Sequence, residues 1–192
     1  MWIGVDPGGR KNFGVALLRS DQPVKTTCVS CAAEALSLIN ECPAGIGIDA
    51  PMWWSAGPSG DRRADQWIRQ TYSMSGGQVQ ASNSLRGAAL VQGALFADGI
   101  RLRYPAVGIT EVHPKAVLRA LSITDDKLLE TFGLTGEISS DHERDAIVAA
   151  IAAREGFSGR WSRDLSKDRL PNEQDPDTYW LAPMRYFWPG NK

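Results

Sequence analysis

The sequence predicts an α/β protein with a five-stranded mixed sheet, made of three antiparallel hairpin strands and two parallel strands, with helices on both faces. Two observations predict this class. Three short runs rich in Val, Ile and Leu follow one another with turn residues between them, at 2–5, 14–18 and 24–29. Two further apolar runs, at 45–49 and 106–112, each follow a helical segment, which is typical of strands joined by crossover helices.

Apolar residues at helical spacing predict the helices. Gly99 follows one such segment and is expected to end it. Pro114 suits the first turn of another helix. Ser140 and Glu143 match the S-x-x-E capping box, which predicts where the last helix begins. The predicted helices are 32–41, 61–70, 84–98, 114–121, 125–132 and 141–156.

The chain is predicted to form one domain at 1–157 and an extended tail at 158–192. Residues 52–82 are rich in Gly, Ser, Arg and Trp, and a loop of this length is typical of a functional lid or a disordered insert. The tail is polar at 158–178 and aromatic at 179–188. We expect the aromatic end to pack on the body or on a second subunit, so a homodimer is one possible assembly.

Charge and cysteine content exclude few functions. The 21 Lys and Arg balance the 22 Asp and Glu, so charge alone does not predict non-specific nucleic-acid binding. Cys28, Cys31 and Cys42 are an odd number without a secretory leader, which predicts reduced thiols in a cytoplasmic protein. No apolar run reaches the ~20 residues that span a bilayer, so we expect a soluble protein without a membrane partner.

Four acidic residues are expected to meet at one edge of the sheet. Asp6 ends the first strand, Asp49 ends the fourth, Glu111 lies near the end of the fifth, and Asp145 lies one turn into the last helix. Right-handed crossovers bring the carboxyl ends of these strands together. Crowded carboxylates raise one another's pKa unless a cation lies among them, and oxygen ligands favour Mg²⁺ or Mn²⁺. Each acid alone also fits a turn former or a helix cap.

Four motifs resemble an uncharacterised family of predicted nucleases with the RNase H fold. They are "GVDPGGRKNFGVAL", "GIDAP", "TEVHP" and "HERDAIVAA", in this order within residues 2–155. The last motif is similar to the final helix of the Holliday-junction resolvase RuvC, in which an acid or histidine precedes Asp-Ala by three residues. His142 and Asp145 have that spacing, which places them on one helix face. The resemblance implies that His142 binds metal or positions water, and the alternative is an exposed first-turn residue.

The chain differs from RuvC by ending its fourth strand in Asp49, where that enzyme uses Glu, and by adding Glu111. Asp49 has a shorter reach to a metal, for which Glu111 or the partner ions must compensate. His113, two residues beyond Glu111, is interpreted as structural.

Basic and aromatic residues near the predicted site are candidates for holding a substrate. Lys11 lies in the first hairpin turn, and the long segment after the fourth strand carries several arginines, a residue type suited to bidentate phosphate contact. The alternative for these residues is a solvated surface. Trp53 and Trp54 suit either stacking on unpaired bases or anchoring of the loop. The arginines concerned are Arg62, Arg63 and Arg69.

These patterns predict a divalent-metal-dependent nuclease that hydrolyses phosphodiester bonds of DNA or RNA. Two Mg²⁺ or Mn²⁺ ions would be held by Asp6, Asp49, Glu111 and Asp145; one would lower the pKa of the attacking water and the other would stabilise the leaving 3′ oxygen. One alternative is a non-catalytic nucleic-acid or protein-binding module. The other is an actin-like ATP phosphotransferase, which would need a duplicated domain for which 192 residues leave no room.

Overall fold

A computed structural model of the protein describes residues 1–82 and 87–190. The strands are β1 Trp2–Asp6, β2 Phe13–Leu18, β3 Lys25–Val29, β4 Gly45–Ile48, β5 Ile109–Glu111, β6 Arg163–Asp164, β7 Met184–Arg185 and β8 Phe187–Trp188. The α-helices are α1 Ala32–Ser37, α2 Arg63–Tyr72, α3 Ala88–Arg103, α4 Pro114–Leu121, α5 Leu128–Thr131 and α6 Asp141–Phe157. Short 3-10 turns lie at Asp125–Lys127 and Leu165–Lys167. Within the described ranges, no helix is both long and apolar enough to cross a membrane.

The strands form a mixed sheet in the order β3-β2-β1-β4-β5-β7. Strands β1, β2 and β3 are antiparallel neighbours, whereas β4 pairs parallel with β1, β5 with β4, and β7 with β5. The predicted α/β class and mixed sheet are therefore confirmed. The predicted number of five strands is wrong, because β7, from the C-terminal segment, adds a sixth strand beside β5. Strands β6 and β8 form a separate two-stranded sheet.

Helix α6 lies directly on the sheet because glycines of three strands leave room for its backbone. A Cβ atom added to Gly4 of β1 would stand 1.9 Å from the carbonyl oxygen of Ala146, and one added to Gly47 of β4 would stand 1.9 Å from that of Ala149. At Gly14 of β2 the carbonyl oxygen of His142 would be 2.1 Å away. Any side chain at these positions would push the helix off the strands.

The opposite face of the sheet is covered by other helices. Residues alternate between faces along a strand, so Phe13 points away from α6, whose backbone covers its neighbour Gly14. The ring of Phe13 packs against that of Phe96 in α3, with the ring centroids 6.0 Å apart. The core therefore lies on both sides of the sheet, as the sequence predicts.

Helix α3 differs from its predicted bounds. It continues through Gly99 to Arg103, so the prediction that Gly99 ends the helix is wrong. A Cβ atom at Gly99 would stand 2.4 Å from Cδ1 of Leu36, so this glycine allows α1 to pack closely on α3. The predicted first residues of the helix, including Ser84 and Leu85, lie outside the described residues.

The aromatic end of the chain packs on the body. Tyr186 and Trp188 are buried. The indole Nε1 of Trp188 donates a hydrogen bond to the hydroxyl oxygen of Tyr72 in α2 at 2.9 Å. Its ring meets that of Trp67 edge-on, with centroids 5.7 Å apart. The segment that follows α6 therefore contributes both a strand and core side chains.

We expect Gly47→Ala to destabilise the protein by about 3 kcal/mol or more, because the added methyl group meets the backbone of α6, which cannot move without leaving the sheet. The measurement is the free energy of unfolding from denaturant titration. Gly76→Ala is the control, since a Cβ atom there has no neighbour within 4 Å, and its effect should be within about 0.5 kcal/mol. Equal stability of the two variants would show that α6 does not need this close contact.

Candidate active site

Three aspartates lie on the α6 side of the sheet at its carboxyl edge. Asp6 is the last residue of β1 and, two residues after Gly4, shares the face that α6 covers. Asp49 directly follows β4, and its backbone N–H continues the ladder by donating to the carbonyl oxygen of Val5 at 2.9 Å. It stands two residues after Gly47 and faces the same way. Asp145 comes from the second turn of α6 itself.

Burial raises the pKa of all three carboxylates, and neighbouring charges modify each shift. Burial raises the pKa of Asp6, and the charge of Asp145 raises it further. The pKa of Asp49 lies well above its ordinary value, first through burial and then through the negative charges of Asp6, Asp145 and Glu111. Burial also raises the pKa of Asp145, although Arg144 opposes the shift. Burial is therefore the largest cause of each shift, and a neighbouring aspartate adds to it at Asp6 and Asp49.

His142 joins this cluster. Its Nδ1 lies 2.6 Å from Oδ2 of Asp6, and its side chain is 39% exposed. One helical turn further on, Asp145 accepts a hydrogen bond from Nε of Arg144 at 2.9 Å. The three-residue spacing in α6 thus places His142 and Asp145 on one face of the helix, with His142 beside the carboxylate of Asp6.

Glu111 points to the other face of the sheet. In the register of β4 and β5, Ile48 pairs with Glu111 and Gly47 pairs with Thr110. Paired residues of neighbouring strands share a face, so Glu111 points with Ile48, away from α6. Both of its carboxylate oxygens accept from the guanidinium of Arg62, at 2.7 and 2.6 Å. As placed, Glu111 is the partner of a buried cation and not a member of the aspartate cluster.

Arg62 lies in the interior, with 1% of its side chain exposed, instead of at the surface where phosphate contact was predicted. Its guanidinium also bonds both oxygens of Asp65 at 2.9 Å and lies over the ring of Trp53, 4.3 Å from the centroid. Trp53 is itself fully buried, so it anchors the loop and does not offer a stacking surface. A phosphate cannot reach this arginine without breaking the ion pairs.

The other predicted basic residues differ in their freedom. Lys11 and Arg63 are exposed. Arg69 is held by an ion pair to Asp61 at 2.7 Å and by the carbonyl oxygen of Val79 at 3.0 Å. Only the first two of these side chains are placed to meet a ligand from solvent.

Lys115 is a charged residue near the site that the sequence analysis missed. It is exposed, and its positive charge lowers the pKa of all three aspartates. It is the second residue of α4, which begins three residues after β5 ends. Its position in the sequence, directly after the "TEVHP" motif, could have identified Lys115 as a site residue. The first turn of a helix that follows a strand end lies at the carboxyl edge of the sheet.

A small cavity of about 180 Å³ opens at the carboxyl edge. His113 forms part of its wall, with Nε2 2.7 Å from the carbonyl oxygen of Gln78 and Nδ1 4.0 Å from Oδ1 of Asp49. Burial lowers the pKa of His113, which favours the neutral ring. The wall also includes Asp6, Asp49, Arg62, Glu111 and Tyr186.

The aspartates offer the donor chemistry of a magnesium or manganese site, since all three supply carboxylate oxygens, although Asp145 is already paired with Arg144 at 2.9 Å. Yet within 1–82 and 87–190, no three His, Cys, Asp or Glu side chains stand at the spacing of a metal site. The type of donor atom suits a hard divalent cation, but the spacing of the side chains does not. Binding would therefore require the aspartate side chains to move closer together around the ion.

The model of a family described as a protein of unknown function (DUF429) matches residues 4–169. No curated protein matches the chain, and no solved structure matches it.

We expect Asp49→Asn to raise the melting temperature at neutral pH, by about 2–4 °C for each kcal/mol gained, because burial and then the neighbouring negative charges disfavour the ionised carboxylate. The pKa of Asp49 in the folded protein lies above its ordinary value of 3.8. At a pH above the folded pKa, the ionised carboxylate therefore lowers the free energy of unfolding by the full amount. This loss of stability becomes smaller as the pH falls towards 3.8. The gain of the variant should therefore shrink on acidification. The measurement is calorimetry across this pH range.

Asp126→Asn is the control for this prediction, because a hydrogen bond from Thr124 lowers the pKa of Asp126. This variant should show no gain at neutral pH. A lower melting temperature for Asp49→Asn than for the wild type would contradict the repulsion inferred among the aspartates.

Proposed function

The chain belongs to this DUF429 family of unknown function, and we propose that it is a divalent-metal-dependent nuclease with an RNase H-like fold that hydrolyses phosphodiester bonds of DNA or RNA. One observation carries the proposal. Asp6, Asp49 and Asp145, from two strand ends and a helix, face the same side of the sheet and crowd their negative charges there. Crowded, partly buried carboxylates are the arrangement that a divalent cation stabilises.

In this proposal the three aspartates hold the metal. Divalent cations at such a site acidify water and stabilise the negative charge that develops on a phosphodiester during in-line displacement. Arg144 orients Asp145 through its Nε hydrogen bond, and it is itself held by Asp125 and Asp141 at 2.8 and 3.0 Å. The helix therefore presents its carboxylate in a fixed rotamer.

His142 has the position of a proton acceptor. When its Nδ1–H donates to Asp6, the lone pair of the neutral ring lies on Nε2. Asp6 then stabilises the imidazolium that forms when Nε2 takes a proton from water. The partial exposure of the ring is compatible with access by water.

The substrate phosphates would be met by exposed cations around the carboxylates. Lys115 is the strongest candidate because its charge already acts on all three aspartates. Lys11 is exposed in the turn between β1 and β2, close in sequence to Asp6. Both would position the backbone of a nucleic acid without reading its bases.

One observation favours the alternative of a binding module without catalysis. The described residues hold no preformed group of three metal-binding side chains. A module that only binds would keep Lys11 and Lys115 effective without metal, whereas the nuclease requires Mg²⁺ or Mn²⁺ for turnover. Metal dependence therefore separates the two functions.

We expect the protein with Mn²⁺ to cleave at least one substrate in a panel of single strands, duplexes, RNA–DNA hybrids and branched junctions. Asp145→Asn should lose cleavage by about 100-fold or more, because it removes a metal-binding carboxylate. Asp126→Asn is the control, since Asp126 is exposed and its carboxylate accepts from Thr124. Its cleavage should equal that of the wild type. Binding without cleavage anywhere in the panel would instead establish the binding module.

We expect Lys115→Gln to weaken binding of the nucleic acid that the wild type cleaves. The plot of the logarithm of the binding constant against the logarithm of salt concentration should become less steep, by about the amount that one phosphate contact contributes. The measurement is fluorescence anisotropy with Ca²⁺ in place of Mn²⁺, over a range of salt concentrations. Lys127→Gln is the control, because Lys127 is exposed and paired with Glu130 on the surface. An unchanged salt slope for Lys115→Gln would remove Lys115 from the substrate contacts.

A further inference from the structure

His113 lies at the carboxyl edge of the sheet with both ring nitrogens near polar groups. It occupies the N-cap position of α4, and its side chain makes no hydrogen bond to the helix. Nε2 lies 2.7 Å from the carbonyl oxygen of Gln78, and Nδ1 lies 4.0 Å from Oδ1 of Asp49. The structural role that the sequence suggests for this histidine accounts for the contact of Nε2 but not for the position of Nδ1.

The contact with Gln78 determines which ring nitrogen of His113 carries the proton. A carbonyl oxygen only accepts hydrogen bonds, so Nε2 is the donor. Burial lowers the pKa of His113 and thereby favours the neutral ring, which has one N–H group and one lone pair. The lone pair of His113 is therefore on Nδ1, the nitrogen nearer to Asp49.

His142 has the opposite tautomer. An ionised carboxylate only accepts, so Nδ1 of His142 donates to Asp6 and the lone pair of its neutral ring is on Nε2. The chain has two histidines, and each lies beside one aspartate of the site. The carboxylate of Asp6 therefore receives a proton donor, whereas that of Asp49 faces a lone pair. Two acceptors do not bond each other directly, so His113 and Asp49 need a donor between them.

The distance between these two acceptors matches the span of one bridging water molecule. Two hydrogen bonds of about 2.8 Å that meet at one oxygen atom join acceptors roughly 4 to 4.5 Å apart. Nδ1 of His113 and Oδ1 of Asp49 are 4.0 Å apart. Both residues line the cavity at the carboxyl edge, whose volume of about 180 Å³ exceeds the ~30 Å³ that a water molecule occupies.

We propose that His113 is a positioning residue of the site, with Nδ1 of its neutral ring and the carboxylate of Asp49 holding one water molecule between them. The inference rests on the proposed function, because Asp49 is one of the carboxylates that would hold the metal. A carboxylate has two oxygens, so Asp49 holds the water with one and keeps the other for the ion. Through this water His113 fixes the orientation of Asp49, as outer-shell partners do for carboxylates that bind metals.

The first test is nitrogen-15 NMR of the histidine rings in the metal-free full chain, with His142→Gln to assign the two sets of signals. His113 should carry its proton on Nε2, and Nδ1 should resonate as a nitrogen that accepts a hydrogen bond. Asp49→Ala removes the second anchor of the water, so the Nδ1 signal should move towards that of an unbonded ring nitrogen. Asp126→Ala is the control, because Asp126 is exposed and bonded to Thr124, and it should leave the signal unchanged. A proton on Nδ1 of His113, or an unchanged signal in Asp49→Ala, would overturn the inference.

The second test separates the two ring nitrogens by substitution. His113→Gln keeps an N–H donor for the carbonyl oxygen of Gln78 but has no acceptor in the place of Nδ1, and His113→Ala loses both. With Mn²⁺ and a nucleic acid that the wild type cleaves, both variants should lose kcat by about 10-fold or more at an unchanged KM. The melting temperature should fall only in His113→Ala. A purely structural histidine predicts instead that His113→Gln retains the kcat of the wild type.

The outcomes separate this inference from the nuclease proposal. A wild-type kcat in His113→Gln would overturn the inference and leave the nuclease proposal standing. Electron spin echo spectroscopy of bound Mn²⁺ should show no directly bound nitrogen, and such a nitrogen, lost in His113→Gln, would make His113 a metal ligand and overturn its role through water. If the wild type cleaves no substrate, the nuclease proposal fails, whereas the NMR experiment still decides whether His113 and Asp49 hold a donor between them.

Discussion

The contact on which the site depends is backbone against backbone, between α6 and the centre of the sheet. Gly4, Gly14 and Gly47 lie in three adjacent strands and leave no side chain between the strands and the helix. The small residues Ala146 and Ala149 of α6 complete this close approach. Because the helix backbone lies so close to the strands, side chains from its first turns reach the carboxyl edge of the sheet. A helix held at the usual distance, with side chains in between, would place its carboxylate farther from the strand ends.

Strand alternation then decides which acids meet. Asp6 and Asp49 each follow a glycine by two residues, so the same pattern that seats α6 also turns both carboxylates towards it. Glu111 occurs one position out of this phase, and the register of β5 turns it to the other face. Arg62 pairs with Glu111 and Asp65, and among the three aspartates Asp145 pairs with Arg144. Two neighbouring groups of acids thus have different partners: Glu111 and Asp65 share Arg62, whereas Asp49 has the charges of Asp6 and Asp145 near it, which add to the effect of burial on its pKa.

Much of this arrangement could be predicted from the sequence, because strand ends, the capping box at Ser140 and the crossover order are local signals. The side of the sheet to which Glu111 points could not be predicted, because it depends on the pairing register between strands that are distant in the chain. The prediction that Gly99 ends a helix is wrong because a glycine that ends a helix and one that admits a neighbouring side chain look alike in sequence. Strand β7 has only two residues and no alternating pattern, so only its pairing with β5 identifies it.

The residues next to buried Arg62 are held by contacts from the other end of the chain. Arg62 occupies the N-cap position of α2, where Ser, Thr, Asp or Asn usually accept from the first free N–H groups, and its side chain makes no such cap. Oε1 of Glu173 accepts from the backbone N–H of Arg63 at 2.6 Å, and Oε2 accepts from Nε1 of Trp53 at 2.9 Å. The C-terminal segment therefore supplies the cap that α2 lacks. A guanidinium has no acceptor for that task, so the Arg62 side chain turns inward to its ion pairs while Glu173 satisfies a free N–H of the helix.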